Sequence, residues 1–217
     1  MSEARISVPV GDEATTAIVY PSEGSTATLV LAHGAGAPQT HPWMVNMSRA
    51  IVAAGITVVT FNFLYAEKRK GAPDRAPVLE ATWLAALEAV RAQGRGQRVF
   101  IGGKSMGGRY ATMIAAREGV EVEGLVLLGY PLHPPSQPDK PRTAHLPKVR
   151  ALMLFVQGSR DPFGTPEELE PVLKPLPRAR LLVIEGGDHS LATPKKSGVT
   201  LAQTMARVAA EIARFTA

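Results

Sequence analysis

The chain has 217 residues, no cysteine and a formal net charge of +5. This length suits one domain with a sizeable core and is small for two, so we predict a single domain over residues 1–217. The absence of cysteine excludes disulfides and a cysteine nucleophile. The basic residues are scattered and are not interleaved with aromatic side chains, which favours a solvated surface and no nucleic-acid partner.

The N-terminal segment MSEARISVPVGDEA carries acidic residues and lacks the apolar run of a secretory signal. No stretch of the sequence approaches the roughly 18 apolar residues that a membrane helix requires. We therefore expect a soluble protein of the cytoplasm with no membrane partner. The oligomeric state is left open by the sequence.

In chain order, two alternating segments come first, ARISVPV and TTAIVYP, and they predict an antiparallel hairpin at the edge of a sheet. Six short, uniformly apolar segments follow, as is typical of strands buried on both faces: TATLVLAHG, ITVVTFNF, RVFIGGKS, GLVLLGY, ALMLFVQGS and RLLVIEGG. Among them lie five segments whose apolar residues recur at i, i+3 and i+4, which predicts helices: HPWMVNMSRAIVAAG, PVLEATWLAALEAVRAQG, MGGRYATMIAARE, TPEELEPVLKPL and LAQTMARVAAEIARF.

The alternation of strands and helices predicts an α/β fold with a mainly parallel, doubly wound sheet that is flanked by helices. One Pro-rich segment, YPLHPPSQPDKPRTAHLPK, has no helical period and predicts a long loop that is too short for a separate cap domain. Ligands bind at the carboxyl ends of the strands in open sheets of this type. We therefore expect the functional side chains at the strand ends, in residues 33–36, 62–65, 105, 130–133, 161 and 189.

Ser105 lies in GGKSMGG, which matches G-x-S-x-G where a predicted strand ends and a predicted helix begins. In such a nucleophile elbow the serine takes a strained turn, and the residues two positions away must lack side chains. A serine hydroxyl also needs a base that a carboxylate orients. Asp161 and His189 each follow a predicted strand at the same edge of the sheet, so we predict that Ser105, Asp161 and His189 form a catalytic triad.

Asp188 is the rival acid, but a carboxylate seldom reaches the Nδ1 atom of the histidine next to it, and Asp188 could instead stabilise a turn. Lys104 and Arg109 flank the serine; they could attract an anionic substrate, or equally contact solvent and surface partners. The remaining histidines match no usual zinc spacing, so we predict no metal site from His33, His41, His133 and His145.

Together these motifs resemble those of the α/β-hydrolase superfamily over nearly the whole chain. The resemblance assigns LVLAHGAGA to the oxyanion loop, GGKSMGG to the elbow, VQGSRDPFG to the acid loop and GGDHS to the histidine loop. The chain is most similar to the compact, lid-free branch grouped with dienelactone hydrolase-like proteins. Dienelactone hydrolases typically use a cysteine nucleophile, which is absent here, so their substrate is not carried over.

The resemblance implies a serine hydrolase that acts on a small-molecule ester or related acyl compound, with an oxyanion hole formed by the backbone amides of Ala35 and Met106. It implies no metal or organic cofactor. Thioesterase and peptidase activities share the same residues, and a non-catalytic binding or scaffold module with this fold is the alternative. Five apolar residues are candidates for the substrate pocket, although each could equally belong to the core: Trp43, Tyr65, Tyr130, Leu132 and Phe163.

Overall fold

The structure is a computed structural model that describes residues 2–93 and 98–217. Eight strands form one sheet in the order β1-β2-β4-β3-β5-β6-β7-β8. The strands are β1 (Ala4–Val10), β2 (Glu13–Tyr20), β3 (Ala27–Ala32), β4 (Thr57–Phe61), β5 (Arg98–Lys104), β6 (Gly124–Leu128), β7 (Leu152–Gly158) and β8 (Ala179–Ile184). The pairs β1–β2 and β2–β4 are antiparallel and the other neighbouring pairs are parallel, which confirms the predicted hairpin and mainly parallel sheet.

Helices cover both faces of this sheet, as predicted. They are α1 (Pro42–Ala53), α2 (Leu64–Glu67), α3 (Ala76–Ala92), α4 (Met106–Ala115), α5 (Pro166–Leu173) and α6 (Leu201–Thr216). The sequence did not predict α2, because a single helical turn is too short to show a period. The predicted end of α3 at Gly94 lies outside the described residues. No helix within the described residues has the length and apolar character needed to cross a membrane.

The buried residues form two apolar clusters, one on each face of the sheet. Residues of α1 and α6 contribute to one cluster, and residues of α3, α4 and α5 contribute to the other. Strand β3 belongs to both, since Leu29 and Leu31 pack in the first cluster while Val30 and Ala32 pack in the second. A strand covered on both faces has no solvent side for polar residues, which explains its uniformly apolar sequence.

The predicted long loop connects β6 to β7 and ends in a 3₁₀ turn over Leu146–Lys148. Two hydrogen bonds anchor it to the end of β6. The backbone N–H of Arg142 donates to the carbonyl oxygen of Leu132 at 2.7 Å, and the Tyr130 hydroxyl donates to the carbonyl oxygen of Arg142, also at 2.7 Å. The segment is thus a pinned loop at the carboxyl edge of the sheet and not a cap domain.

Candidate active site

Ser105 stands between the last residue of β5 and the first residue of α4. Its φ of 51° and ψ of −117° are an unusual, strained conformation for a residue with a side chain. A Cβ atom on Gly103 would lie 2.6 Å from the backbone carbon of Gly107, and one on Gly107 would lie 2.5 Å from the carbonyl oxygen of His33. Both glycines are therefore required, because β3, β5 and α4 approach each other too closely for a side chain at either position.

The structure brings Ser105, His189 and Asp161 together in one chain of hydrogen bonds. The Oγ atom of Ser105 lies 2.9 Å from Nε2 of His189, and Nδ1 of His189 lies 2.8 Å from Oδ2 of Asp161. Asp161 is only 1% exposed. An imidazole that donates its Nδ1–H to the carboxylate leaves the lone pair of Nε2 facing the serine hydroxyl. This geometry suits transfer of the hydroxyl proton to His189.

Two further donors hold the Asp161 carboxylate. Nε2 of Gln157 donates to Oδ2 at 2.9 Å, and the backbone N–H of Phe163 donates to Oδ1 at 2.9 Å. Gln157 is fully buried in β7, where its Oε1 accepts from the N–H of Tyr130 and its Nε2 lies 2.7 Å from the carbonyl oxygen of Gly164. One side chain therefore joins the end of β6, strand β7 and the acid loop.

Gln157 did not appear among the residues predicted from the sequence. Its signal is the polar side chain inside the otherwise apolar segment ALMLFVQGS. A buried amide must find hydrogen-bond partners, so a glutamine in a strand covered on both faces indicates a specific structural task.

Asp188, the rival acid, has a different role. Its Oδ1 atom accepts from the backbone N–H groups of Ser190 at 2.7 Å and Ala192 at 3.0 Å. The carboxylate thus stabilises the turn that carries His189, and the partner of Nδ1 is Asp161.

His33 shapes the loop that follows β3. Its Nδ1 donates to the carbonyl oxygen of Gly34 at 2.8 Å, and its Nε2 accepts from the backbone N–H of Phe63 at 3.0 Å. Burial lowers the pKa of His33 to about 4, so the ring remains neutral near pH 7 and can serve as donor and acceptor at once. The side chain thereby connects the loop after β3 to the end of β4.

Both residues expected at the oxyanion hole border the cavity beside Ser105. Ala35 follows the turn that His33 shapes, and Met106 is the first residue of α4. Amides in the first turn of a helix have no carbonyl partner within that helix, so the N–H of Met106 is available to a ligand. These positions are compatible with the predicted pair of backbone donors.

A cavity of about 600 Å³ opens next to Ser105. Trp43 and Phe163, two of the five predicted pocket residues, line it. The indole N–H of Trp43 donates to the carbonyl oxygen of Ser190 at 2.8 Å, and the Phe163 ring centroid lies 4.3 Å from that of His189. These two aromatic rings therefore border the histidine loop.

The other three predicted pocket residues occupy the core instead. Tyr65, Tyr130 and Leu132 are at most 4% exposed and belong to the apolar cluster on the α3–α5 face, outside the cavity lining. The Tyr130 hydroxyl is engaged by the carbonyl oxygen of Arg142, and burial raises the pKa of Tyr130 to about 12. For Tyr65, Tyr130 and Leu132 the alternative that the sequence left open, a place in the core, therefore holds, because the chain turns these side chains inward after β4 and β6.

Charged residues also line the cavity. Lys104, Arg109, Arg142 and Asp74 all line the cavity. The Nζ atom of Lys104 lies 5.3 Å from the Trp43 ring centroid, and burial lowers the Lys104 pKa. The sequence leaves the roles of Lys104 and Arg109 open, and it does not single out Arg142 or Asp74, because these two lie in polar loop segments with no pattern of their own.

The remaining histidines have structural partners. His41 accepts from the N–H of Trp43 at the start of α1, His133 lies 3.3 Å from the Glu168 carboxylate, and Nε2 of His145 lies 2.7 Å from Oγ1 of Thr112. Across residues 2–93 and 98–217, no group of three or more His, Cys, Asp or Glu side chains could hold a metal ion.

Comparison with known proteins assigns the family. A family model described as an alpha/beta hydrolase domain matches residues 25–217. The chain belongs to this family. The match covers every motif on which the resemblance was based, from the loop after β3 to the histidine loop. The predicted membership of the α/β-hydrolase superfamily is confirmed.

Solved structures share the fold of this α/β-hydrolase chain. A dienelactone hydrolase from Anabaena variabilis is 22% identical with a TM-score of 0.77, and the alignment covers 98% of this chain and 95% of that one. A lid-free α/β serine hydrolase from Xanthomonas campestris is 20% identical with a TM-score of 0.78, over 99% and 95% of the two chains. Est1E from Butyrivibrio proteoclasticus, bound to ferulic acid, is 13% identical with a TM-score of 0.79, over 97% and 98%.

Proposed function

We propose that this α/β-hydrolase chain is a serine hydrolase that cleaves an ester or a related acyl compound, with carboxylesterase-like activity. The observation that carries the proposal is the hydrogen-bonded chain from Ser105 through His189 to Asp161, next to a cavity large enough for a small molecule. The lid-free serine hydrolase and the ferulic acid-bound Est1E, which have the same fold, support a small acyl substrate.

In the first half of the proposed reaction, Oγ of Ser105 attacks the acyl carbon while Nε2 of His189 accepts the hydroxyl proton. Asp161 stabilises the resulting imidazolium. The carbonyl oxygen becomes negatively charged and accepts hydrogen bonds from the amides of Ala35 and Met106, each of which contributes on the order of 3 kcal/mol. The imidazolium then donates its proton to the leaving alcohol, and the acyl group remains on Ser105.

In the second half, water attacks the acyl-enzyme. His189 accepts a proton from the water, the tetrahedral intermediate collapses, and the proton returns to Oγ of Ser105 as the carboxylic acid leaves. Every proton in this cycle passes through Nε2 of His189. The proposed cycle uses no metal or organic cofactor.

Labelling with a fluorophosphonate, read by intact mass, tests the proposed nucleophile. We expect one adduct on the wild-type chain and none on Ser105→Ala or His189→Ala, while Ser136→Ala, which removes an exposed loop serine, labels like the wild type. Hydrolysis of 4-nitrophenyl hexanoate should fall by at least about 1,000-fold in Ser105→Ala. The rates of hydrolysis of the matching hexanoyl thioester and anilide then show whether the enzyme prefers an ester, a thioester or an amide.

Labelling of Ser105→Ala at the wild-type rate would contradict the assigned nucleophile. Folded wild-type protein that forms no adduct and hydrolyses no hexanoyl compound would instead favour the non-catalytic binding module.

A further inference from the structure

Two arginines in the wall of the active-site cavity lack an acidic partner. Arg109 and Arg142 both line the cavity that contains Ser105 and His189. Among the described residues, the ion pairs within 4.0 Å join other side chains, and neither guanidinium takes part in one. The Nε atom of Arg109 is buried and has no hydrogen-bond partner.

Helix geometry directs Arg109 toward the serine. The backbone N–H of Arg109 donates to the carbonyl oxygen of Ser105 at 3.0 Å, so the two residues stand one turn apart on the same face of α4. Four residues rise about 6 Å along a helix axis, and helical side chains tilt toward the N-terminus. This tilt is consistent with the place of Arg109 in the lining of the cavity that contains Ser105.

The pinned loop after β6 brings Arg142 to the same wall. Its backbone is held on both sides, because its N–H donates to Leu132 and its carbonyl oxygen accepts from the buried Tyr130 hydroxyl. A loop fixed in this way presents Arg142 in a defined position. The sequence separates the two arginines by a helix, a strand and half a loop, and only the fold makes them neighbours.

The Arg109 guanidinium lies close enough to Arg142 and His145 to affect both of them. Burial and the nearby Arg109 charge both lower the pKa of the Arg142 guanidinium, and the same two causes lower the pKa of His145 to about 4. Asp74 lines the same cavity, but among the described residues it forms no ion pair within 4.0 Å with either arginine; burial and, to a smaller extent, the Asp74 charge raise the pKa of Tyr65 beside the loop after β3.

Two partly buried cations that repel each other destabilise a fold unless a ligand offsets the charge. Planar guanidinium groups bind the paired oxygens of carboxylates and phosphates through parallel hydrogen bonds. The arrangement fits a ligand whose negatively charged end lies in the same cavity as the serine. Lys104, a third cation in the cavity lining, adds to the same field.

We propose that Arg109 and Arg142 form an anion subsite, and that the substrate is an acyl compound carrying a second, negatively charged oxygen group, a carboxylate or a phosphate. The catalytic part of this inference rests on the proposed serine hydrolase function, whereas the binding part does not. The uncharged part of the substrate lies between Ser105 and the two guanidiniums.

Paired esters of equal chain length test the subsite. Mono-4-nitrophenyl esters of glutarate, adipate and suberate are compared with 4-nitrophenyl pentanoate, hexanoate and octanoate, and a 6-phosphohexanoate ester distinguishes phosphate from carboxylate. For at least one length we expect kcat/KM at least tenfold higher for the charged ester. Arg109→Gln and Arg142→Gln should each lower this charged-to-neutral ratio by about 10- to 100-fold.

Arg109→Lys keeps the charge but not the planar fork, and it should lower the ratio less than Arg109→Gln does. Arg207→Gln makes the same charge change on the exposed side of α6 and should leave the ratio unchanged. Circular dichroism and urea unfolding verify that each variant is folded. Equal kcat/KM values for charged and neutral esters at every length would overturn the subsite.

Calorimetry separates failure of the subsite from failure of the hydrolase function. Adipate and 6-phosphohexanoate are titrated into Ser105→Ala, with and without Arg109→Gln, so that binding is measured without turnover. Binding that depends on Arg109 supports the subsite even if the fluorophosphonate labels no serine. That combination of results would contradict the hydrolase function alone. Serine-dependent cleavage of neutral esters, with no charge preference and no anion binding, overturns the subsite alone.

Discussion

Gln157 shows how a single buried side chain can set the geometry of the proposed triad. Its amide group contacts Asp161, Tyr130 and Gly164 while its aliphatic part lies within β7. Asp161 must keep one oxygen directed at Nδ1 of His189, and the Gln157 donor limits how its carboxylate can rotate. We therefore assign Gln157 as a positioning residue that acts through Asp161.

Gln157→Glu retains the size of the side chain and the acceptor for Tyr130, but it replaces the donor to Asp161 with a second carboxyl group. We expect kcat for 4-nitrophenyl hexanoate to fall by roughly tenfold. The acidic limb of the kcat/KM profile should move to higher pH, because an added negative charge stabilises the His189 imidazolium. A stopped-flow pH profile measures both effects.

Gln137→Glu is the matched control, since it makes the same change on the exposed part of the loop after β6. Gln137→Glu should leave the pH dependence of kcat/KM unchanged. A Gln157→Glu profile that coincides with that of the wild type would show that Gln157 has no effect on the ionisation of the triad.

At the scale of elements, the elbow depends on how closely α4 packs against β3 and β5. The same contact determines where the serine hydroxyl, the amide of Met106 and the Arg109 side chain lie, because Ser105 directly precedes α4 and the other two belong to its first turns. Trp83 of α3 reinforces the contact by donating its indole N–H to the carbonyl oxygen of Gly107 at 3.1 Å. Separating α4 from β3 would therefore disturb several parts of the site together.

Gly107→Ala tests this packing. In a free helix the change would stabilise by about 1 kcal/mol, but the new Cβ would lie 2.5 Å from the carbonyl oxygen of His33 and 2.6 Å from that of Ala32. Backbone oxygens cannot rotate away, so we expect an overpacking cost near the upper end of the usual range of about 1–3 kcal/mol, and a net loss of about 2 kcal/mol in the free energy of unfolding. Urea denaturation measures the loss, and fluorophosphonate labelling should slow.

Gly71→Ala is the control, because no atom lies within 4 Å of a Cβ placed there and its φ is not positive. It should change the free energy of unfolding by less than about 0.5 kcal/mol. Equal stability of the two variants would mean that the turn between β5 and α4 tolerates a side chain.

At the scale of the whole molecule, buried histidines couple stability to pH. His33 is fully buried, and its pKa of about 4 in the folded chain lies below the ordinary value near 6.5. Between these pH values the unfolded chain binds a proton that the folded chain does not. The free energy of unfolding therefore rises with pH through this window and decreases as the solution is acidified.

From pH 6.5 to pH 5, His33 alone should lower the free energy of unfolding by about 1.6 kcal/mol. His33→Asn retains a donor and an acceptor without a titrating group, so its stability should depend less on pH by about that amount, whatever its stability at pH 7. Urea unfolding at several pH values between 5 and 8 measures the difference between the two slopes. Parallel curves for the two proteins would contradict a neutral, buried His33.

The sequence by itself determined the elements and the candidates at the strand ends. Periodicity separates buried strands from amphipathic helices over most of the chain, and glycine spacing singles out Ser105. Parallel strands must end at a common edge, which is why His189 and Asp161 could be selected from their positions after β8 and β7. These features are local, or follow from the direction of the strands alone.

Tertiary structure decided which side chains face the cavity. Trp43 and Phe163 reach it while Tyr65, Tyr130 and Leu132 turn into the core, although all five were equal candidates from the sequence. Arg109 and Arg142 become neighbours only when the loop after β6 is pinned beside α4, and Gln157 meets Asp161 only when the acid loop folds back on β7. Such contacts depend on side-chain direction and on packing between distant segments, and a linear pattern of residue types encodes neither.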